Sequence, residues 1–353
     1  MEHIFIFPDY SLAWGRTLIK IGINGFGRIG RNVYRAALKS KGFGKDFEIV
    51  GINDIVPVDW LANLLKYDSV YGVLDMEVKA EGTSIGVGDH RVEITQVKDP
   101  AEIPWRKLGA DVVIESTGLW TEKEKAAKHL AAGAKKVVIS APAKDPDITV
   151  VLGVNYDKYD RSKHNVISMA SCTTGSLAPV VKVLNDKFVI EKGMMTTVHA
   201  YTADQKLVDA PHKDFRRSRA ASLSIIPTTT GAAKAIGEVI PSLKGKMNGI
   251  SLRVPTPFGS VTDISVSLRS EVVAEDINKE LKDASLGPMK GVMAYCTDPI
   301  VSRDIIGNPH SAIVDALSTM VIGGKGNFAK VLSWYDNEWG YANRLVELSQ
   351  KVL

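Results

Sequence analysis

Three observations predict an α/β fold built in two parts. Short apolar runs alternate with helical stretches through the first half of the chain, and a glycine-rich turn joins the first run to the first helix. The second half carries further β-like runs around a cysteine that stands at a helix start. The length, 353 residues, suits about two ordinary domains. A formal net charge of +4 is small for that size and gives no reason to expect nucleic acid or a membrane surface as the main partner. Two widely separated cysteines exclude a CxxC motif and argue against a disulfide-stabilised secreted fold, which points to a cytoplasmic protein. No apolar stretch is long enough to span a bilayer. No metal-ligand spacing is present, so no metal is expected.

The elements follow in order. Residues 1–17 lack the positive start and long apolar run of a signal peptide and read as an extension ahead of the first core strand. Residues 18–24 read as a short buried strand. Gly25-Phe26-Gly27-Arg28-Ile29-Gly30 comes next, and residues 31–38 read as a helix. Strand, GxGxxG and helix in this order form the Rossmann dinucleotide fingerprint. Gly25 allows the tight turn, Gly27 lets a pyrophosphate approach the backbone, and Gly30 lets helix and strand pack closely. The pyrophosphate then rests on the amides of Arg28 and Ile29 at the helix start. A second strand, 47–53, ends at Asp54, near the spacing at which an acid meets the adenosine ribose and repels a 2′-phosphate; the cofactor expected is NAD rather than NADP.

Residues 89–97 alternate and read as an antiparallel strand inserted into the sheet. Residues 112–115 form a strand-like run that ends in Ser116-Thr117-Gly118, and 136–140 form another that ends at Ser140. Between them, 122–133 read as one helix with Gly133 near its C-cap. Strand ends rich in Ser, Thr and Gly suit a ligand crevice.

Cys172 lies in Ser171-Cys172-Thr173-Thr174, among small and hydroxylated residues rather than bulky apolar ones, and residues 175–184 read as the first turns of a helix. A thiol at a helix start feels the positive end of the dipole, which favours the nucleophilic thiolate. His199 lies in a β-like run, 194–202, and is the candidate acid or base; His129, His212 and His310 lie in polar or loop-like surroundings and are weaker candidates. The polar stretch 203–224, with Asp204 and Arg217, is long for a featureless loop, which favours a functional or interface role. Thr228-Thr229-Thr230-Gly231 precedes a helix and makes an anion site, and Arg253 in an apolar strand needs a partner such as phosphate. Reactive thiol, base, two anion sites and NAD together suggest oxidation of a phosphorylated aldehyde through a thioester. Cys296, at an apparent strand end, carries no evident chemistry.

With these residues in view, the chain resembles the phosphorylating glyceraldehyde-3-phosphate dehydrogenases over nearly its whole length. The stretches that carry the resemblance are 21–31, 170–174, 196–202, 227–235, 253–257 and 334–341. The resemblance implies a Rossmann-type, doubly wound NAD-binding domain (18–171) and an α+β catalytic domain with a large mixed, largely antiparallel sheet (172–336). A C-terminal helix (337–353) returns to the first domain. Cys172 is then the nucleophile and His199 its base. Ser171, Thr173, Thr230 and Gly231 hold one phosphate; Thr202, Asp204 and Arg253 hold the other, with Arg217 as a further contact. Arg28, Ile29, Asp54, Lys98, Thr117, Gly118, Ser140 and Asn337 contact the cofactor, Asn337 through the nicotinamide amide. The substrates implied are glyceraldehyde 3-phosphate and inorganic phosphate, in glycolysis or gluconeogenesis, and the assembly implied is a homotetramer in which 203–224 packs between subunits. Two rivals share the scaffold: an erythrose-4-phosphate dehydrogenase, in which water replaces phosphate, and a binding protein without catalysis. The intact phosphate set and the retained Cys172, His199 and Arg253 count against them.

The chain departs from the family at Gly175, where asparagine is usual, at Ser176, where a second cysteine is common, and at Ala210, where many NAD-specific members carry leucine. Gly175 predicts a looser turn at Cys172. Ala210 predicts some use of NADP beside a preference for NAD.

Overall fold

The computed structural model describes residues 18–353; the expected extension, 1–17, lies outside them. The first sheet contains β1 (Ile19–Asn24), β2 (Phe47–Asn53), β3 (Val78–Glu81), β4 (Ser84–Val87), β5 (His90–Thr95), β6 (Val112–Glu115), β7 (Lys136–Ile139), β8 (Ile148–Thr149) and β9 (Val166–Ser168). Their order across the sheet is β8-β9-β7-β6-β1-β2-β5-β4-β3. The chain moves one way from β1 to β2 and the other way from β1 to β6. The switch point therefore lies at β1, and a crevice opens at the carboxyl ends of β1 and β6. Near-continuous apolar sequences such as Val112-Val113-Ile114 mark strands covered on both faces.

Expectation and structure differ in three places here. β5 is antiparallel to β4 but parallel to β2, so the alternating run extends the parallel sheet before the chain folds back. The expected single helix at 122–133 is two short helices, Lys123–Ala126 and Lys128–Ala131, with Gly133 at φ +120° behind them. The first helix, α1 (Arg28–Lys39), begins three residues earlier than the sequence suggested, directly after Gly27.

The second sheet contains β10 (Ile190–Ala200), β11 (Ile226–Thr229), β12 (Met247–Val254), β13 (Ser260–Val273), β14 (Met293–Cys296), β15 (Ala312–Val321) and β16 (Lys325–Tyr335). Their order is β11-β12-β10-β13-β16-β15-β14. β10 and β12 are parallel, while β10–β13, β13–β16 and β16–β15 are antiparallel, so the sheet is mixed. Helices α2 (Cys172–Phe188), α3 (Ala232–Val239) and α4 (Ala274–Leu286) pack on one face. Leu177, Val181 and Leu184 of α2 bury against Ile264, Val266 and Val331 of the strands. The last helix, α5 (Trp339–Ser349), leaves this layer. Its Trp339, Ala342, Leu345 and Val346 join Val33, Tyr34 and Ala37 of α1 in the core of the first sheet. Among the described residues, no helix is long and apolar enough to cross a membrane.

Gly22 shows how closely the first sheet is packed. A Cβ there would stand 2.6 Å from Trp105, so the glycine gives the indole a flat strand surface to lie on. Overpacking of this kind costs about 1–3 kcal/mol. Gly22→Ala is therefore expected to lower the unfolding free energy by that amount, read as a lower midpoint in thermal or denaturant unfolding.

Candidate active site

The glycine turn after β1 has a separate steric reason at each of its three positions. Gly25 has φ +89°, and a Cβ there would fall 2.7 Å from the Thr117 amide. A Cβ on Gly30 would fall 2.2 Å from the Gly25 carbonyl. At Gly27 an added Cβ meets nothing within 4 Å, so the space before the helix is open. No side chain caps α1, which leaves the first amides, those of Arg28 and Ile29, facing that space. This open, amide-lined cradle fits a dinucleotide pyrophosphate. The Arg28 guanidinium is not part of it. It is paired with Asp68 at 2.6 Å and with Glu338, so only the backbone of Arg28 is offered.

The turn is braced by its neighbours. The Gly25 amide donates to Asn53 at 2.8 Å, and the Ser116 hydroxyl donates to the Gly25 carbonyl at 2.7 Å. Asp54 accepts from the Phe26 amide at 2.7 Å and from the Val56 amide at 3.1 Å. Asp54, Lys98, Thr117, Gly118 and Ser140 stand just beyond β2, β5, β6 and β7, along one sheet edge with Gly25. Lys98 is exposed there. Asn337 comes from the other end of the chain, immediately before α5. Its Oδ1 accepts from Ser260 at 3.0 Å, and Ser260 in turn accepts from the Ala200 amide at 3.1 Å.

The thiol is placed by a helix cap. Ser171 accepts from the Thr174 amide at 3.1 Å, and α2 begins at Cys172, three residues earlier than the sequence suggested. Cys172 Sγ lies 3.5 Å from His199 Nε2. His199 and Arg253 are register partners on the parallel strands β10 and β12, so their side chains leave the sheet on the same face. Arg253 donates to His199 Nδ1 at 2.5 Å and to the Ala200 carbonyl at 3.0 Å. Nδ1 thus stands between a guanidinium that can only donate and, at 2.6 Å, the Ala200 carbonyl that can only accept; where it donates to Ala200, Nε2 faces the sulfur as an acceptor. Burial, together with the Arg253 charge, pulls the imidazole down to about 3, so the ring is neutral near pH 7.

Burial pushes the Cys172 thiol up, against the charge of Arg253 and the hydrogen bonds from Thr173. This reverses the expectation of a thiol depressed by its helix start, because enclosure of the sulfur outweighs the dipole. The cation that limits the rise is Arg253.

The remaining expected residues fall into two groups. Ser171, Cys172 and Thr173 share the start of α2. Thr230 and Gly231 form the start of α3, which packs beside α2, and the Thr230 hydroxyl accepts from the Ala232 amide at 3.2 Å. Thr202 follows β10 and opens the loop in which Asp204 pairs with Arg217 and, at 3.4 Å, with His212. Burial raises the Asp204 carboxyl, but Arg217 and His212 hold it below the usual carboxylate range. Arg217 and Asp204 both act on the charge of Arg253, which places that loop beside β12. Among the described residues, no His, Cys, Asp or Glu cluster is arranged to hold a metal.

Sequence reasoning missed three residues of this site. Tyr335 is buried with its hydroxyl 2.9 Å from that of Thr173 and 2.8 Å from that of Thr197, and its ring is edge-on to His199. Its only signal was a place in the stretch 334–341. Ser260 is one of several small polar residues in an alternating strand and gave no signal. Glu338 is visible only through its pairing with Arg28. His129, assigned to polar or loop-like surroundings, is fully buried.

Gly175 lies inside the first turn of α2, its amide donating to Ser171 at 2.9 Å, and not in a loose turn. A Cβ there would meet only Ser311, at 4.0 Å, and a cavity of about 20 Å³ adjoins it beside Cys172 and Arg344. Gly175→Asn is thus expected to stabilise the fold by about 0.5–1 kcal/mol through the unfolded state, read as a raised unfolding midpoint. Arg253→Leu removes the cation that favours the thiolate, so the midpoint of Cys172 alkylation by iodoacetamide is expected to move to higher pH. An unmoved midpoint would remove Arg253 from the electrostatics of the thiol.

Comparison with known proteins agrees with this geometry. The description "Glyceraldehyde 3-phosphate dehydrogenase, NAD binding domain" matches residues 19–123, and "Glyceraldehyde 3-phosphate dehydrogenase, C-terminal domain" matches residues 171–337. The chain is 58% identical to glyceraldehyde-3-phosphate dehydrogenase of Priestia megaterium over 95% of its own length and 98% of that protein's. It is 57% identical to the enzyme of Geobacillus stearothermophilus and 56% identical to glyceraldehyde-3-phosphate dehydrogenase 1 of Bacillus subtilis, with the same coverage. The chain belongs to the glyceraldehyde-3-phosphate dehydrogenase family.

Proposed function

We propose that the protein is an NAD-dependent phosphorylating glyceraldehyde-3-phosphate dehydrogenase, which converts D-glyceraldehyde 3-phosphate and inorganic phosphate to 1,3-bisphosphoglycerate. The observation that carries this reading is a thiol 3.5 Å from an imidazole that a half-buried arginine contacts from its far side. In this reading the Cys172 sulfur attacks the aldehyde carbon; a C–S bond forms, the carbonyl π bond opens, and the thiol proton ends on the oxygen as the thiohemiacetal hydroxyl. With Nδ1 donating to the Ala200 carbonyl, 2.6 Å away, Nε2 is the acceptor. His199 then takes the hydroxyl proton of the thiohemiacetal. NAD, its pyrophosphate on the amides of Arg28 and Ile29 and its carboxamide at Asn337, supplies the hydride acceptor. Inorganic phosphate attacks the resulting thioester carbonyl, the C–S bond breaks, and Cys172 leaves as thiolate.

Asp54, Lys98, Thr117, Gly118 and Ser140 complete the cofactor contacts in this reading, and its glycines are Gly25, Gly27 and Gly30. One phosphate belongs to Ser171, Thr173, Thr230 and Gly231, and the other to Thr202, Asp204, Arg217 and Arg253. The open start of α3 and the half-buried cation of Arg253 support two separate anion subsites.

A homotetramer is part of the proposal, as is a cytoplasmic location. Leu207, Phe215 and Leu223 of the loop 203–224 are four-fifths or more exposed (80%, 90% and 83%). Met194, Ile250 and Leu317 are exposed on the second sheet. Large apolar side chains left exposed in this number suit subunit contact.

The test is NADH formation from glyceraldehyde 3-phosphate with and without inorganic phosphate. The expected result is steady NADH production that requires phosphate and is lost in Cys172→Ser. Full steady turnover without phosphate would mean that water resolves the thioester and would overturn the phosphorylating assignment.

A further inference from the structure

Trp105, His129 and Glu115 take no part in the chemistry above, yet their exposures are 0%, 0% and 1%. Burial of a histidine and a carboxylate needs every polar atom matched, and here the matching has a direction. Trp105 Nε1 donates to His129 Nδ1 at 2.9 Å. An indole N–H only donates, so Nδ1 accepts and the ring hydrogen lies on Nε2. Nε2 then donates to Glu115 Oε2 at 2.9 Å. Asn24 Nδ2 donates to the same oxygen at 2.5 Å. The other oxygen, Oε1, accepts from the Thr117 amide at 2.8 Å and from the Thr117 hydroxyl at 2.5 Å. With its hydrogen committed to Glu115, the Thr117 hydroxyl accepts from the Leu119 amide at 3.0 Å.

The same chain reaches β2 and β5. Asn24 Oδ1 accepts from Asn53 Nδ2 at 2.8 Å, and Asn53 Oδ1 accepts from the Thr95 hydroxyl and the Val97 amide at 2.8 and 2.9 Å. The Trp105 indole thus sets the His129 tautomer, Glu115 gathers donors from His129, Asn24 and Thr117, and the Val97 amide and carbonyl orient Asn53, in a network that joins the carboxyl ends of β1, β2, β5 and β6. Those ends carry Gly25, Asp54, Lys98 and Thr117. The indole itself is fixed from below by Gly22, whose missing side chain makes room for it.

We propose that Trp105, His129 and Glu115 are positioning residues for the dinucleotide. They hold the Thr117–Leu119 turn and the Asn24–Asn53 pair so that the crevice keeps the width and orientation NAD requires. The proposal rests on the NAD reading above. The three residues act through Thr117, Asn24 and Asn53 and do not touch the reacting atoms.

Glu115→Gln tests this with little change in shape. It replaces an acceptor oxygen by an N–H2 group that faces only donors. The expected result is a dissociation constant for NAD, measured by calorimetry, about tenfold above wild type, with kcat at saturating NAD within about twofold. His129→Leu is expected to behave alike, and His129→Gln, which keeps a donor toward Glu115, to recover most of the affinity. Wild-type NAD affinity in both Glu115→Gln and His129→Leu overturns the proposal. A wild-type protein that binds no NAD overturns the NAD reading instead. Should the variants not fold, nitrogen-15 histidine spectra of the wild-type protein decide. The expected form of His129 carries hydrogen on Nε2, with its exchange slowed by NAD. A hydrogen on Nδ1, or exchange indifferent to NAD, overturns the proposal.

Discussion

The parallel pairing of β10 with β12 is the constraint on which the reactive centre depends. It sets His199 and Arg253 side by side on one face of the sheet, and α2 needs only to begin at that face for Cys172 to meet the imidazole. Shifting β12 by one residue would turn Arg253 to the opposite face and take the cation from its acceptors, His199 and the Ala200 carbonyl. The ladders of β12 against β10 on one edge and β11 on the other make such a slip expensive, since the buried Met247 and half-buried Leu252 of β12 would turn to the other face with it or lose their pairing. The apolar core beneath the site is thus the device that holds the geometry, and the polar residues inherit their positions from it.

Electrostatics around the thiol work by opposition. Burial disfavours charge on Cys172 and on His199 alike, and Arg253 helps the first while hindering the second. The sulfur is drawn toward ionisation and the imidazole is kept neutral by a single cation. A neutral imidazole beside a thiol is suited to take a proton at working pH, whereas a protonated one could only give one away. The hydroxyl of Tyr335, bonded to Thr173 and Thr197, ties the start of α2 to β10 and keeps the two groups at a fixed distance.

Much of the first sheet was legible in the sequence because its information is local. Gly25, Gly27 and Gly30 each answer a steric demand within a few residues, and apolar runs such as 112–115 announce strands buried on both faces. The thiol was legible from the small, hydroxylated residues around it. What the sequence concealed is non-local. The approach of His199 to Cys172 depends on strand register and helix docking. Ser260 looks like any small residue of an alternating strand, and it acts only because Asn337 arrives from far along the chain. The start of α2 was misplaced because threonines and a glycine are weak helix formers, and a Ser171 cap overrides that weakness. His129 read as polar in its surroundings because Lys125 and Lys128 stand beside it in sequence, and its burial follows from Trp105 and Glu115, which lie elsewhere in the chain.

The return of α5 to the first sheet bears on the order in which the molecule can be made. Val33, Tyr34 and Ala37 of α1 are synthesised early, yet the side chains that cover them, Trp339, Leu345 and Val346, leave the ribosome long after them. A nascent chain lacking those residues would carry an uncovered apolar face on its first helix, with neither Asn337 nor the Glu338 that engages Arg28. The half of the protein that is translated first is therefore the half that is finished last, and its exposed helix needs shielding throughout elongation.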